Sequence, residues 1–176
     1  KQYPTKEYPF IRYFIGDVRD LSRLNRAIEG IDIVIHAAAL KHISTAEKHP
    51  FEAIKTNILG TQNLIEASLD NGVKKLISLS TDKASSPINL YGATKLCADR
   101  LVLSSNFISG SRPYKASVVR YGNVFGSRGS IATIFSKIKD GIFPISDMEM
   151  TRFNISLDEA INFVYQSINL MKGGEI

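Results

Sequence analysis

Short apolar runs alternate with helical stripes along this chain, and that alternation leaves few folds open. Ile11 to Ile15, Ile31-Asp32-Ile33-Val34-Ile35, Lys75-Leu76-Ile77-Ser78-Leu79-Ser80 and Ala116-Ser117-Val118-Val119-Arg120 each read as a strand. Between them, apolar residues recur at helical spacing. Leu21, Leu24 and Ile28 precede Gly30, and Ile54, Ile58, Leu59, Thr61, Leu64, Ile65 and Leu69 follow His49-Pro50 and end at Asn71-Gly72. A third helix is expected from about Leu90 to Ser104. Strands separated by whole helices cannot close as hairpins, so they pair in parallel through crossover connections.

The expected fold is therefore α/β: a Rossmann-like, doubly wound parallel sheet with helices on both faces. It occupies residues 1–125, and residues 126–176 form part of a small C-terminal region that would bind substrate. At 176 residues, 44% hydrophobic and 22% charged, the chain can bury a real core. Its 22 basic against 17 acidic residues give a mild net charge of +5, scattered along the chain, which argues against a nucleic-acid surface. No run of about 18 apolar residues is long enough to span a membrane. Lys1-Gln2-Tyr3-Pro4 has no signal-peptide shape, and Cys97 stands alone, read as packing rather than reactive; a reducing cytoplasm fits best.

Ligands in open parallel sheets bind beyond the carboxyl ends of the strands. Thr81, Asp82 and Lys83 stand at such an end. Pro87 then holds Ser86 extended, Asn89 is a candidate N-cap, and the helix that follows carries Tyr91 and Lys95 on one face. A phenol, with an ordinary pKa of about 10, is a poor base at neutral pH, and an adjacent ammonium favours its phenolate. Such a phenolate can take a hydroxyl proton while hydride leaves the carbon beneath it, and Thr81 can hold the same hydroxyl. The competing reading is an exposed helix with an incidental Tyr and Lys.

Tyr91-x-x-x-Lys95 with Thr81 upstream resembles the extended short-chain dehydrogenase/reductase superfamily. Ser80-Thr81-Asp82-Lys83-Ala84, followed by Pro87-x-Asn89-Leu90-Tyr91-Gly92-Ala93-Thr94-Lys95, is similar to the UDP-N-acetylglucosamine 4,6-dehydratases of the branch that inverts C5. Deoxyglucose-type dehydratases carry Asp-Glu where this chain has Asp82-Lys83, and the membrane-anchored retaining relatives usually have Met at the position of Tyr91. The resemblance implies an NADP-dependent enzyme, or one using NAD, that acts on UDP-N-acetylglucosamine for surface or flagellar glycan synthesis of the pseudaminic acid type. Tyr91 would take the C4 hydroxyl proton, Lys83 the C5 proton, and Asp82 would protonate the departing C6 hydroxyl. A sugar-nucleotide 4-epimerase shares Thr81, Tyr91 and Lys95 without needing Asp82-Lys83. A non-catalytic cofactor-binding module is the alternative of another class.

Other residues take roles by the same resemblance. Asp17 and Val18 would meet the adenine, although Asp17 or Asp20 can equally cap a helix. Ala37, Ala38 and Ala39 are small enough for a dinucleotide to lie against bare backbone, or simply pack under a helix. Lys41 and His42 would lie near cofactor ribose and substrate, and an Asn at position 57 would hold backbone near the site. Gly122 and Gly126 flank Asn123 in a segment that bends closely around a ligand. There Asn123 would meet substrate phosphates and Val124 the nicotinamide, with Arg128 a phosphate partner. Arg152 would meet the uridine diphosphate through its bidentate fork, or form a surface ion pair with Glu149 or Asp158. His36 reads as a core histidine, because no partner stands at metal-ligand spacing.

Ser130 to Asp140 is expected as a helix, Phe143-Pro144-Ile145 as a short edge strand, and a last helix capped by Ser156 or Asp158 runs through Met171. The chain has no Gly-x-Gly-x-x-Gly, so a first strand, glycine-rich turn and first helix are expected before Lys1, and further chain after Ile176. Without that turn the phosphate grip is absent, and an isolated piece that is inert for that reason is a third alternative, one that would not change what the whole protein does. By analogy, the helices at Pro50–Leu69 and Leu90–Ser104 pair across subunits in a homo-oligomer.

Overall fold

A computed structural model describes residues 3, 6–127, 135, 136, 138, 141–143, 145 and 147–176. Its centre is a parallel sheet of three strands in the order β1 (Ile33–His36), β2 (Lys75–Thr81), β3 (Lys115–Tyr121). Ile33 pairs with Lys75, and Lys75 with Lys115, so the strands run in step to a common carboxyl edge. Crossovers supply the helices: α1 (Leu21–Ile28) precedes β1; α2 (Ile43–Lys48), α3 (Pro50–Ile54) and α4 (Gly60–Asp70) join β1 to β2; α5 (Leu90–Ile108) joins β2 to β3.

Both faces of β2 and β3 are covered. On one, Val34, Leu76, Ala116 and Val118 pack with Ile28, Leu64, Ile65 and Val102 from α1, α4 and α5. On the other, Ile77 and Val119 meet Val164, Ile168 and Met171 of the last helix, α6 (Leu157–Leu170), and of its end. Leu76 and Ile77 are consecutive and both essentially unexposed, as a strand buried on both faces requires. Ser156 caps α6 in a reciprocal box with Glu159. The Lys75 ammonium donates to the Ile168 carbonyl near the other end of that helix, tying it to β2.

Three expectations change. Ile11–Ile15 is not a strand: no described segment stands beside it to pair with its backbone, and Ile15 is exposed. The helix expected from Pro50 is interrupted by a π-turn at Lys55–Leu59, a register that apolar spacing does not reveal. Cys97 is exposed rather than packed. The helix expected over Ser130–Asp140 lies mostly outside the described residues, as does Pro144 of the expected edge strand. No helix among the described residues is long and apolar enough to cross a membrane.

Candidate active site

The carboxyl edge of β2 places the chemistry. Thr81 ends the strand, and a single 3₁₀ turn, Asp82–Ala84, follows. Asn89 caps α5 by accepting from the Gly92 amide at 2.9 Å, and Leu90 N donates to Glu47 of α2. That cap fixes the phase of α5 and turns Tyr91 and Lys95 toward the strand end. Gly92 lets the turn sit directly on the helix, because a Cβ there would run into the Lys83 carbonyl oxygen.

Thr81, Asp82, Lys83 and Asn123 form one hydrogen-bonded cluster. The Thr81 hydroxyl donates to Asp82 Oδ1 at 2.9 Å, and Lys83 Nζ donates to the same oxygen at 3.0 Å and to Asn123 Oδ1 at 3.1 Å. Burial pushes the Asp82 carboxyl up, but hydrogen bonds from Lys83 and Thr81 outweigh it and hold the group below its ordinary value. The ammonium of Lys95 does not reach for the Tyr91 phenol, contrary to the expectation from their spacing. It donates to the Leu79 carbonyl at 2.7 Å, the acceptor that the end of β2 puts in its path. Burial raises Tyr91 above its usual value, and a hydrogen bond with Thr81 works against the rise. Burial also lowers Lys95, with the Asp99 carboxylate opposing it.

A buried polar layer supports this cluster. Asn57, at the π-turn, accepts from Leu40 N and donates to Leu40 O and to Thr94 Oγ1, all within 3.0 Å. One side chain thus ties the loop after β1 to the helix that carries Tyr91, which is the backbone-holding task expected of it. His36 Nε2 lies 3.0 Å from Thr61 Oγ1. Burial, helped by the charge of Lys95, lowers its pKa to about 4. An unfolded His titrates near 6.5, so between these values the unfolded state binds more protons and stability is lost as pH falls from 6.5 toward 4. The loss is expected to reach about 3 kcal/mol. Chemical denaturation at pH 7 and pH 4.5 checks it, and His36→Gln should flatten the acid limb.

The remaining candidates fall into two groups. Ala37 and Ala38 are exposed just past β1, and Lys41 and His42 follow on the surface, His42 in the N-cap position of α2. Asp20, not Asp17, caps α1 by accepting from Arg23 N. Asp17 is chelated by Arg19, whose guanidinium holds its carboxyl at about 2, and Arg19 also pairs with Glu52. Val18 packs against Gly60, where a Cβ would collide with it, and accepts from Asn63 through its carbonyl. Beyond β3, a two-residue strand β4 (Asn123–Val124) pairs in parallel with β5 (Asn154–Ile155), which brings the Arg152 segment beside Asn123. Arg152 is exposed, and its guanidinium donates to the Thr151 carbonyl. Arg128 lies outside the described residues. Val124 borders an apolar hollow of about 300 Å³ with Ile35, Leu79, Tyr121 and Leu157, on the α6 side of the sheet.

The family model for polysaccharide biosynthesis proteins matches residues 1–176. The chain belongs to that family. Within it, the chain is 55% identical over 171 residues to a UDP-N-acetylglucosamine 4,6-dehydratase (inverting) of Campylobacter jejuni, a match covering 96% of this chain and 51% of the relative. It is 39% identical over 170 residues to a UDP-glucose 4-epimerase of Rickettsia canadensis, covering 96% and 50%. The X-ray structure of Pen from Bacillus thuringiensis superposes with a TM-score of 0.89 at 43% identity, over 97% of this chain and 54% of that one. The chain spans about half the length of the curated relatives it matches.

Asp99 and Arg120 escaped the sequence reading. Asp99 follows Lys95 by four residues and Tyr91 by eight, and that continued spacing was the signal that could have found it.

Proposed function

We propose that the protein carrying this chain removes water from UDP-N-acetylglucosamine across C5 and C6, with inversion at C5 and a bound nicotinamide dinucleotide, NADP or NAD. It would work in the cytoplasm as a homo-oligomer. The carrying observation is the Thr81–Asp82–Lys83 cluster, since an epimerase has use for Thr81, Tyr91 and Lys95 but none for an acid–base pair at the strand end. The 55% identical relative bears the name of this activity, and 4-epimerases match less well.

The residues present fit the dinucleotide. Exposed Ala37 and Ala38 offer bare backbone at the end of β1, whereas the Asp17 carboxylate, both of whose oxygens accept from Arg19, would meet an adenine amino group only by releasing that partner. Val18, Lys41, Tyr91, Lys95 and Val124 complete the set of cofactor residues, with Ala39. When bound, the nicotinamide would supply the acceptor for the C4 hydride and return it at C6. His42, Asn123, Arg128 and Arg152 would hold the substrate.

Tyr91 takes the C4 hydroxyl proton while Thr81 steadies that oxygen. The 4-ketone then acidifies C5–H. Lys83 removes that proton as a neutral amine, and Asp82 protonates the leaving C6 hydroxyl as a neutral acid. C5, once C6 has regained hydride, takes a solvent proton on the face opposite Lys83, which inverts it. The neutral amine and neutral acid are one proton shift away from the resting ion pair, along the 3.0 Å contact between Lys83 Nζ and Asp82 Oδ1. Asp82, held below the ordinary carboxyl range by its hydrogen bonds from Lys83 and Thr81, rests as the carboxylate.

The complete protein, incubated with UDP-N-acetylglucosamine and catalytic NADP in deuterated water, is expected to give a product lighter by one water. That product should carry deuterium at C5 in the inverted configuration, read by mass spectrometry and proton NMR. An unchanged mass with a C4 epimer would make it an epimerase, and no turnover by folded protein would favour a binding module.

A further inference from the structure

Asp99 is fully buried on α5 and is used by none of the proton transfers above. Its Oδ2 accepts from Ser80 Oγ at 3.0 Å, from Arg120 Nε at 2.9 Å and from Arg120 Nη2 at 2.8 Å. Its Oδ1 has no hydrogen-bond partner among the described residues. A buried carboxylate with one oxygen left bare is costly, and a neutral pair of the same shape would pack with less penalty. Its location suggests what the charge does. Tyr91, Lys95 and Asp99 follow one another at intervals of four along α5, and they meet Thr81, the Leu79 carbonyl and Ser80, three consecutive residues of β2.

We propose that Asp99 is a positioning residue for the Tyr91–Lys95 pair: its carboxylate, pinned by Arg120 and Ser80, locks α5 onto the end of β2 and is the fixed anion that keeps the buried Lys95 side chain a cation. The inference rests on the reading of Tyr91 and Lys95 as the hydride-step pair.

The surroundings leave few alternatives for that anion. Lys95 is 3% exposed, and the acceptor it touches is a neutral carbonyl. The titratable groups whose charge couples to Lys95 are Asp99, one turn further along α5, and His36 on β1. One of these is acidic, and the other acid of the strand end, Asp82, is engaged by Lys83. His36 is neutral above its depressed pKa and supplies no negative charge. Asp99 is the acid that acts on Lys95: although Arg120 shares its Oδ2, it still raises the lysine toward its ordinary value against the effect of burial.

The test uses the complete protein with ¹³Cε-labelled lysine. The Lys95 resonance, assigned through Lys95→Arg, is titrated by NMR in the parent and in Asp99→Asn. Because Asp99→Asn strips Arg120 of its partner, the double variant Asp99→Asn/Arg120→Gln, which leaves a neutral hydrogen-bonding pair, is measured beside it. In the folded variants the Lys95 midpoint is expected to fall by about one pH unit, a tenfold change in its protonation equilibrium. Nicotinamide reduction by UDP-N-acetylglucosamine should slow about tenfold with KM within about twofold. An unchanged Lys95 titration in a folded variant overturns the proposal even if the rate falls, since lost packing alone would slow the reaction. If the parent itself never reduces its nicotinamide, the dehydratase reading fails while the titration still decides the role of Asp99.

Discussion

Replacing Lys83 by alanine in the complete protein is expected to stop the loss of water, by about 10³-fold, while nicotinamide reduction stays measurable. The two halves of the proposed reaction would draw on different side chains. Hydride removal from C4 would use Tyr91, Thr81 and Lys95, and the Lys95 ammonium is anchored on Leu79 O, independent of Lys83. Elimination would use the proton shared by Asp82 and Lys83. Without Lys83 the Asp82 carboxylate keeps its hydrogen bond from Thr81 and has no proton to give, while C5 has no base. Lys83→Arg sharpens the test, because a guanidinium preserves the ion pair with Asp82 but cannot become a neutral base. Stalled, reduced enzyme in both variants is the expected absorbance signature. Normal dehydration by either would remove Lys83 from the proton path.

Gly92→Ala is the second large effect, and its sign runs against helix propensity. In an exposed helix interior the change gains about 1 kcal/mol. Here the added Cβ would overlap the carbonyl oxygen of Lys83 and press on Pro87, and the first of these is backbone that cannot rotate away. Overpacking of this kind costs about 1–3 kcal/mol. The chain can relieve it only by lifting the Asp82–Ala84 turn off α5, which carries Asp82 and Lys83 away from Tyr91. Turnover is therefore expected to drop about 100-fold with a lowered melting temperature, in line with the sensitivity of catalysis to displacements near 1 Å. Parent-like turnover in Gly92→Ala would show that the turn does not have to rest on the helix.

The sheet and the strand-end cluster were legible because their signals are local. Lys75–Ser80 carries Leu76, Ile77 and Leu79 in one short run, Pro87 and Asn89 mark the helix start, and Thr81 through Lys95 lie within one strand–turn–helix unit. What was not legible depends on partners far along the chain. Ile11–Ile15 has the composition of a strand, but a strand needs another backbone beside it, and among the described residues none pairs with it there. Asn123 meets Lys83 across forty residues of sequence, and Lys95 chose a backbone carbonyl over the phenol its spacing suggested. The backbone-holding task of Asn57 was expected from the resemblance, but its partners Leu40 and Thr94 were hidden, because a π-turn leaves no mark in apolar periodicity.

That π-turn also sets two demands on the same residues against each other. Each helical residue turns the chain by about 100°, so a local widening at Lys55–Leu59 offsets the face of α4 from that of α3. Ala53 can then face inward before the offset while Thr61 and Leu64 do so after it, and Asn57 is aimed sideways at Leu40 and Thr94. Deleting one residue from this stretch would let the helix close its ordinary ladder and satisfy local preference better. It would also swing Asn57 away from both partners and turn the apolar side of α4 out of the core, giving a more regular helix and a frustrated protein.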